Sequence, residues 1–167
     1  MTKLAIFGTS GFSKEVLDIA YDQGYEEFVF LTNDVLSENN VLGFPVQNES
    51  SIPELCKTGY KFAIAVGSGV IREKIFKTYP DLQYPNLIHS SVTYGYGMKE
   101  EFANSKGLII AAGVRVTTCC EIGNFIILNF NVTVGHDSVL ENFVSIMPGA
   151  NISGNVHLAS KSYVGTG

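Results

Sequence analysis

The sequence predicts an α/β domain with a parallel sheet, followed by a parallel β-solenoid, and two observations predict this fold class. First, strand and helix patterns alternate over about the first 85 residues, which is typical of βαβ units. Second, a branched aliphatic residue recurs at every sixth position from Ile110 to Val164. A period of six fits neither the repeat of a helix nor that of a single strand, and is typical of a hexapeptide solenoid.

The first domain, placed at residues 1–85, has the pattern of a half-size Rossmann-like unit. The predicted strands are Lys3–Phe7, Phe28–Leu31 and Phe62–Val66. The predicted helices are Phe12–Gln23, Val70–Thr78 and one that begins near Ser50–Pro53. Three or four strands are too few for a complete dinucleotide-binding fold.

The second domain, placed at residues 86–167, carries the six-residue repeat. Its aliphatic series comprises Ile110, Val116, Ile122, Leu128, Val134, Leu140, Ile146, Ile152, Leu158 and Val164. A second, smaller series fits the narrow interior of a three-walled coil: Val114, Cys120, Ile126, Val132, Ser138, Val144, Ala150, Val156 and Ser162. Since each coil then takes three successive hexapeptides, the repeat covers about three coils.

Two segments of the second domain depart from the repeat. The polar stretch Gly95–Gly107 breaks the six-residue phase, and we interpret it as a loop or hairpin extruded from an early coil. The chain stops in mid-pattern without a polar cap, although an open solenoid end exposes unpaired strand edges. We therefore expect the sequence to be a truncated piece of a longer protein.

Composition and charge exclude several classes of partner. The net charge is −5 and no block of basic residues occurs, which argues against nucleic acid and anionic membranes. No apolar run approaches the roughly 18 to 20 residues of a membrane span, so we predict no membrane insertion. The three cysteines lack CxxC spacing, which fits a cytoplasmic protein and argues against disulfides or a cysteine-based zinc site.

One candidate binding motif lies between the first strand and the first helix. Gly8-Thr9-Ser10-Gly11 leads directly into the helix, where free backbone N–H groups and the helix dipole could hold a phosphate. Only two glycines of a GxGxxG-type loop can be matched. A tight βα turn without a ligand therefore remains the alternative.

The candidate for chemistry is His136, in the segment Val134-Gly135-His136-Asp137. The repeat places His136 at a corner of the coil, where a solvated histidine is the plain alternative. Asp137 supplies an adjacent carboxylate, and Gly154 follows three hexapeptides later, one coil further on. Acyl transfer requires at least a base that takes a proton and an N–H donor that stabilises an oxyanion, and these residues could supply both. Asn129, another corner residue, could orient a substrate.

Two other functional classes remain possible at this point. A zinc enzyme of the carbonic-anhydrase type needs three converging imidazoles. The only other histidines are His89, at the domain junction, and His157, which is out of phase with His136 and therefore not one coil away. The second class is a non-catalytic trimeric module that binds a nucleotide or a sugar.

The whole chain resembles the NeuD/PglD family of sugar acetyltransferases. The resemblance lies in the GxSG-type first turn, Asn86-Leu87-Ile88-His89, and hexapeptides that contain Ile122-Gly123-Asn124, Asn129 and Gly135-His136-Asp137. It implies a left-handed β-helix, although the usual crossover rule would favour the right hand. It also implies a homotrimer that transfers acetyl from acetyl-CoA to a sugar amine or hydroxyl.

The resemblance further implies roles for individual residues. His136 would be the general base with Asp137 as its acidic neighbour, and Asn129 would contact the sugar. The amide of Gly154 would hold the thioester oxygen, with Ser145 as a second coenzyme contact. The residues expected to hold a nucleotide-sugar are Gly8, Ser10, Gly11, Asn33, Asp34 and Gly67.

The chain departs from relatives that bind UDP-sugars. Those relatives tend to have GHG after the first glycines and paired acids after the second strand. Here the corresponding residues are Gly11-Phe12-Ser13 and Thr32-Asn33-Asp34. Another nucleotide-sugar or a sialic-acid-like acceptor therefore remains open.

Overall fold

A five-stranded sheet forms the centre of the first domain because its long strands are nearly continuous apolar runs. The computed structural model describes residues 1–34 and 39–167. The strands are β1 (Thr2–Phe7), β2 (Tyr25–Leu31), β3 (Asn40–Val41), β4 (Phe44–Gln47) and β5 (Lys61–Ile64). They lie in the order β3-β4-β2-β1-β5. All pairs are parallel except β3–β4, which is antiparallel.

The helices of this domain cover both faces of the sheet. They are α1 (Gly11–Asp22), a 3₁₀ turn (Glu49–Ser51), α2 (Ile52–Lys57) and α3 (Gly69–Thr78). The three long strands and the helices α1 and α3 agree with the sequence prediction to within a few residues. The short β3–β4 hairpin was missed, because such short strands, one of them with Pro45, carry little periodic signal.

Hexapeptides build the second domain as a triangular coil of parallel strands. The strands are β6 (Leu87–Ile88), β7 (Thr93–Tyr94), β8 (Ile109–Ile110), β9 (Arg115–Val116), β10 (Glu121–Ile122), β11 (Ile127–Leu128), β12 (Thr133–Val134), β13 (Val139–Leu140), β14 (Ser145–Ile146), β15 (Asn151–Ile152), β16 (His157–Leu158) and β17 (Tyr163–Val164). We name the walls by their strands: wall 1 is β6-β8-β11-β14-β17, wall 2 is β7-β9-β12-β15, and wall 3 is β10-β13-β16.

The predicted six-residue series form the interior of this coil. Partners in adjacent coils are three hexapeptides apart, as in Val134–Ile152 and Leu140–Leu158. The aliphatic residues up to Ile146 are buried, and Ile152, Leu158 and Val164 are partly buried against the same core.

The corners of the coil repeat a backbone conformation. From Gly107 to Lys161, every sixth residue has a positive φ between 55° and 75°. The non-glycine members of this series include Asp137 and Asn155, and Asp and Asn tolerate the left-handed region better than most residues.

The stretch Gly95–Gly107 is not a loop or hairpin, as predicted, but contains the helix α4 (Met98–Asn104). Met98 and Phe102, one helical turn apart, are buried against the core of the coil. The prediction was wrong because the exposed Lys99 and Glu100 dominated the local composition. The apolar pair at helical spacing closes the coil at a point where a strand of wall 3 would otherwise begin.

Wall 1 of the coil and the corner between walls 3 and 1 pack against the first domain. Ile109 and Ile127, on its outer side, belong to one buried cluster with Val16 and Ile19 of α1. Phe125 and Phe143, at the corner between walls 3 and 1, form a second cluster with Phe76 of α3. No helix in the described ranges is both long and apolar enough to cross a membrane.

Candidate active site

The imidazole of His136 stands at the corner between walls 2 and 3. Its Nδ1 lies 2.6 Å from Oδ2 of Asp137. The left-handed backbone of Asp137 (φ 58°) belongs to the corner series, so the repeat itself turns this carboxylate beside the ring. A carboxylate only accepts, so Nδ1 carries the hydrogen, and in the neutral imidazole Nε2 is the nitrogen with the free lone pair.

The free nitrogen lies directly over Gly154 of the next coil. A Cβ added to Gly154 would lie 2.7 Å from Nε2 of His136 and 2.8 Å from Cε1. A Cβ added to Gly135 would collide with the backbone nitrogen of Gly154. The two glycines therefore allow the imidazole and the main chain of the following coil to approach closely, as the sequence predicted.

The Gly154 N–H donates to no protein acceptor within the part of the chain that the structure describes. Its neighbour Asn155 donates its N–H to the carbonyl of His136 at 2.8 Å, which joins the two coils beside the ring. The side chains of His136 and Asp137 are 60% and 53% exposed. The corner thus presents an imidazole to an open surface, beside a glycine whose N–H is not used by the described part of the fold.

The other two imidazoles lie in different places. His89 contacts Ser91 at 2.9 Å on the domain junction, and Nε2 of His157 lies 2.7 Å from Glu141 on the outside of wall 3. Among the described residues, no group of three potential ligands is close enough to hold a metal ion.

A cleft of about 610 Å³ opens at the carboxyl ends of β1 and β2. Its lining residues are Phe7, Gly8, Leu31, Thr32, Asn33, Asp34, Glu49, Val66, Ile71, Lys74, Ile75, Thr78 and Tyr79. The carboxyl edge of a parallel sheet is the usual position for a ligand in open α/β folds. The volume lies in the range of small-molecule sites.

Polar side chains and charged side chains of both signs line this cleft. The hydroxyl of Tyr79 donates to Glu49 at 2.8 Å, and burial together with this bond raises the pKa of Tyr79. The side-chain amide of Asn48 donates to Oδ1 of Asn33 at 3.1 Å. Asn33 lines the cleft beside Asp34, while Lys74 adds a positive charge.

The predicted residues thus divide into two groups. His136, Asp137 and Gly154 come together at the coil corner, whereas Gly8, Asn33 and Asp34 come together in the cleft. Ser10 and Gly11 begin α1 next to the cleft without lining it.

Three predicted residues are placed elsewhere. Asn129 is buried at the corner between walls 1 and 2, where its Oδ1 accepts the N–H of Phe130 at 2.7 Å. Ser145 is buried in wall 1 and donates to the Gly67 carbonyl at 2.8 Å. Within one chain, therefore, Asn129 does not face His136. The hydroxyl of Ser145 and the carbonyl of Gly67 join the two domains instead of facing a ligand.

Sequence reasoning missed one prominent buried residue, Arg72. It is 1% exposed, and its guanidinium lies between α3 and the coil. The available signal was its position: Arg72, Ile75, Phe76 and Tyr79 follow helical spacing on the apolar side of α3. A charge on that side indicates a buried, bonded role.

The fold and the corner geometry define a class, the hexapeptide-repeat acyltransferases, and the comparisons with known proteins agree. The family model for the PglD N-terminal domain matches residues 3–79. The acetyltransferase domain of PglB from Neisseria gonorrhoeae FA1090 is 32% identical, with a TM-score of 0.86 over 100% of this chain and 81% of that one. Its complex with acetyl coenzyme A is 31% identical, with the same TM-score, over 99% and 80% of the two chains.

A relative with a named reaction is also similar along the whole chain. The GDP-perosamine N-acetyltransferase of Escherichia coli O157:H7 is 26% identical over an alignment of 179 positions, gaps included, which covers 100% of this chain and 77% of the relative. The chain belongs to the NeuD/PglD family of sugar acetyltransferases. The left-handed coiling expected from the resemblance is confirmed by these structural matches.

Proposed function

We propose that this protein transfers acetyl from acetyl-CoA to the amine of a nucleotide-linked amino sugar, with His136 as the general base. The observation that carries the proposal is Nε2 of His136 lying over the main chain of Gly154, while Nδ1 is held by Asp137. A base with a fixed tautomer beside a free N–H donor matches what acyl transfer requires.

The proposed chemistry needs no covalent enzyme intermediate. The neutral amine of the sugar attacks the thioester carbonyl, and Nε2 of His136 takes the proton that the nitrogen loses. The Gly154 N–H stabilises the oxyanion of the tetrahedral intermediate. When this intermediate collapses, the C–S bond breaks and the imidazolium returns its proton to the departing thiolate of CoA.

The cleft of the first domain is the proposed site of the nucleotide part of the acceptor. The first N–H groups of the 12-residue helix α1 and the charge of Lys74 suit a diphosphate. The nucleoside would lie near Asn33 and Asp34. The E. coli relative acts on a GDP-sugar amine by name, which supports N-acetylation, whereas transfer to a sialic acid hydroxyl is the alternative.

Within one chain, the cleft and His136 lie on different sides of the coil. The first domain covers wall 1 and the corner at Phe143, whereas His136 stands at the opposite end of wall 3. The stretch from Asp137 to Phe143 spans up to about 20 Å when extended. The sugar held by one chain is therefore proposed to reach His136 of another copy, in a homotrimer as the resemblance implies.

The first experiment measures acetyl transfer by the wild type and by His136→Ala. Nucleotide-linked amino sugars and sialic acid serve as acceptors, and release of the CoA thiol is the signal. We expect transfer to the nucleotide-linked amine and a loss of about 100- to 10,000-fold in turnover for the variant. Unchanged turnover in a folded His136→Ala protein would remove His136 from the mechanism, and preferred acetylation of sialic acid would replace the proposed acceptor.

A second experiment tests the shared site. Two inactive variants, His136→Ala and Lys74→Glu, are co-expressed so that their chains mix in one oligomer. In a cyclic trimer, about one site in four then combines an intact histidine with an intact cleft, and activity returns to that extent. Mixed oligomers that stay inactive would mean that each site lies within a single chain.

A further inference from the structure

Arg72 is a fully bonded cation at the boundary between the two domains. All five of its N–H groups donate to backbone carbonyls. The bonds run from Nε to Phe125 (3.1 Å), from Nη1 to Val66 (2.9 Å) and Gly67 (3.0 Å), and from Nη2 to Phe143 (2.6 Å) and Val144 (3.0 Å). Since no donor remains free, the guanidinium cannot bind a phosphate or carboxylate of a ligand.

Burial of this charge is costly, which points to a role other than stability alone. Burial lowers the pKa of Arg72 to about 10, so it stays charged at neutral pH. Its five bonds all go to carbonyls, and none goes to a carboxylate. At such positions, apolar side chains of similar volume often make a protein at least as stable as a buried charge does. What they cannot supply is a directional link between several carbonyls.

The five carbonyls belong to two separate bodies. Val66 and Gly67 form the loop after β5, and Val66 lines the cleft together with residues of α3. Phe125, Phe143 and Val144 belong to the corner between walls 3 and 1 of the coil. Arg72 therefore ties the rim of the cleft to two successive coils.

Two neighbouring features make this junction tight. A Cβ on Gly69, the first residue of α3, would collide with the carbonyl of Phe143. The carbonyl of Gly67 also accepts the hydroxyl of Ser145 at 2.8 Å. The helix that lines the cleft thus lies directly against the coil, and it cannot shift without breaking several of these bonds.

We propose that Arg72 is a positioning residue, which fixes the nucleotide-sugar cleft relative to the coil that carries His136. This inference rests on the proposed function, in which the cleft presents the amine to an imidazole across an oligomer. A misplacement of about 1 Å at a reacting group can cost about 100-fold in rate. Arg72 therefore acts on turnover through geometry, without touching either substrate.

The kinetic test compares Arg72→Lys with Lys161→Ala. The lysine keeps the charge but has three donors on one nitrogen, which cannot span the five carbonyls. Lys161→Ala removes an ion pair across the same boundary, Lys161–Glu73 at 3.2 Å, and serves as the control. Each variant is assayed with the nucleotide-linked amino sugar and with a free amino sugar, which has no nucleotide for the cleft to hold.

For Arg72→Lys we expect kcat for the nucleotide-linked sugar to fall at least 10-fold, with KM within threefold of the wild type. Transfer to the free amino sugar should stay within twofold. The control should change neither rate by more than twofold. A merely structural role would lower both rates equally or lower only the melting temperature, and either result overturns the inference.

A distance measurement tests the same inference without using activity. Cys56 in the first domain and Cys119 on the coil are exposed, whereas Cys120 is buried and burial raises the pKa of its thiol. Spin labels on Cys56 and Cys119, in labelled chains diluted into unlabelled ones, report the distance between the domains by pulsed electron resonance.

We expect a narrow distance distribution in the wild type and Lys161→Ala, and a broadened or shifted one in Arg72→Lys. If Arg72→Lys does not fold, Gly69→Ala displaces α3 from Phe143 while the arginine remains, and the same change is expected. A wild type that does not acetylate the nucleotide-linked amino sugar, together with a broadened distance distribution in the variant, would reject the proposed acceptor but support the positioning role. If the wild type, Arg72→Lys and Gly69→Ala all give the same distance distribution, the positioning role is rejected.

Discussion

The substitution Gly154→Ala tests the geometry of the corner with the smallest chemical change. The added Cβ would lie 2.7 Å from Nε2 of His136, 2.8 Å from Cε1 and 3.0 Å from Cδ2. Ordinary contacts between such atoms are about 3.5 to 4.0 Å. The imidazole must therefore move by about 0.8 to 1.3 Å to restore such contacts, and it can do so because 60% of its side chain is exposed.

A displacement of this size predicts a loss of about 100-fold in kcat. The melting temperature should change little, because the ring and not the coil gives way. The assay is steady-state release of the CoA thiol, with the affinity for the nucleotide-sugar measured separately by calorimetry. That affinity should stay within twofold of the wild type, since the cleft lies in the other domain.

Gly165→Ala is the matched control, because a Cβ there meets nothing within 4 Å and its φ is not positive. It should retain full activity. A Gly154→Ala protein with kcat within threefold of the wild type would refute the reasoning, since the position of the ring over Gly154 would then have no part in turnover.

Three further predictions concern other parts of the molecule. Asp137→Asn should lower kcat about 10- to 100-fold with little change in stability, because the neutral amide loses the negative charge beside the ring and its NH₂ can donate to Nδ1, which favours the wrong tautomer; equal kcat in both proteins would remove Asp137 from the site. Asp22 accepts the N–H and hydroxyl of Ser90 across the domain boundary, and these bonds lower its pKa. Its contribution to stability is therefore present above about pH 4 and is lost as the pH falls below that value. The melting temperature of Asp22→Asn should lie below that of the wild type at about pH 6, and the difference should shrink as the pH falls below about 4; a constant difference would contradict this. Phe102→Ala should lower the free energy of unfolding, measured in urea, by about 3 to 5 kcal/mol, because Phe102 is 3% exposed and closes the coil. As the control, Lys99→Ala at an exposed position of the same helix should change this free energy by less than about 0.5 kcal/mol.

The sequence predicted the coil and the placement of its candidate corner because both follow from one short period. A six-residue repeat dictates which side chains point inward, and three hexapeptides per coil place Gly154 beside His136. Both deductions need only counting, so the corner site could be found without coordinates. The left-handed coiling came from the resemblance instead, because the general crossover rule favours the other hand.

The failures have a common physical cause. The helix α4 was missed because its exposed charges outweighed the buried pair Met98 and Phe102. Ser145 was assigned to the coenzyme, whereas its hydroxyl is buried against Gly67 in the other domain. In both cases the deciding partner is distant in sequence, and local composition carries no information about it.

By itself, therefore, the sequence determined the α/β domain, the triangular coil and the pairing of His136 with Asp137, since each depends on residues at fixed local spacings. Only the tertiary structure decided how the two domains meet. That arrangement depends on contacts such as those of Arg72 with Phe125 and Phe143, which lie 53 and 71 residues away. A docking geometry of this kind is set by the fit of two folded surfaces, and no period along the chain encodes that fit.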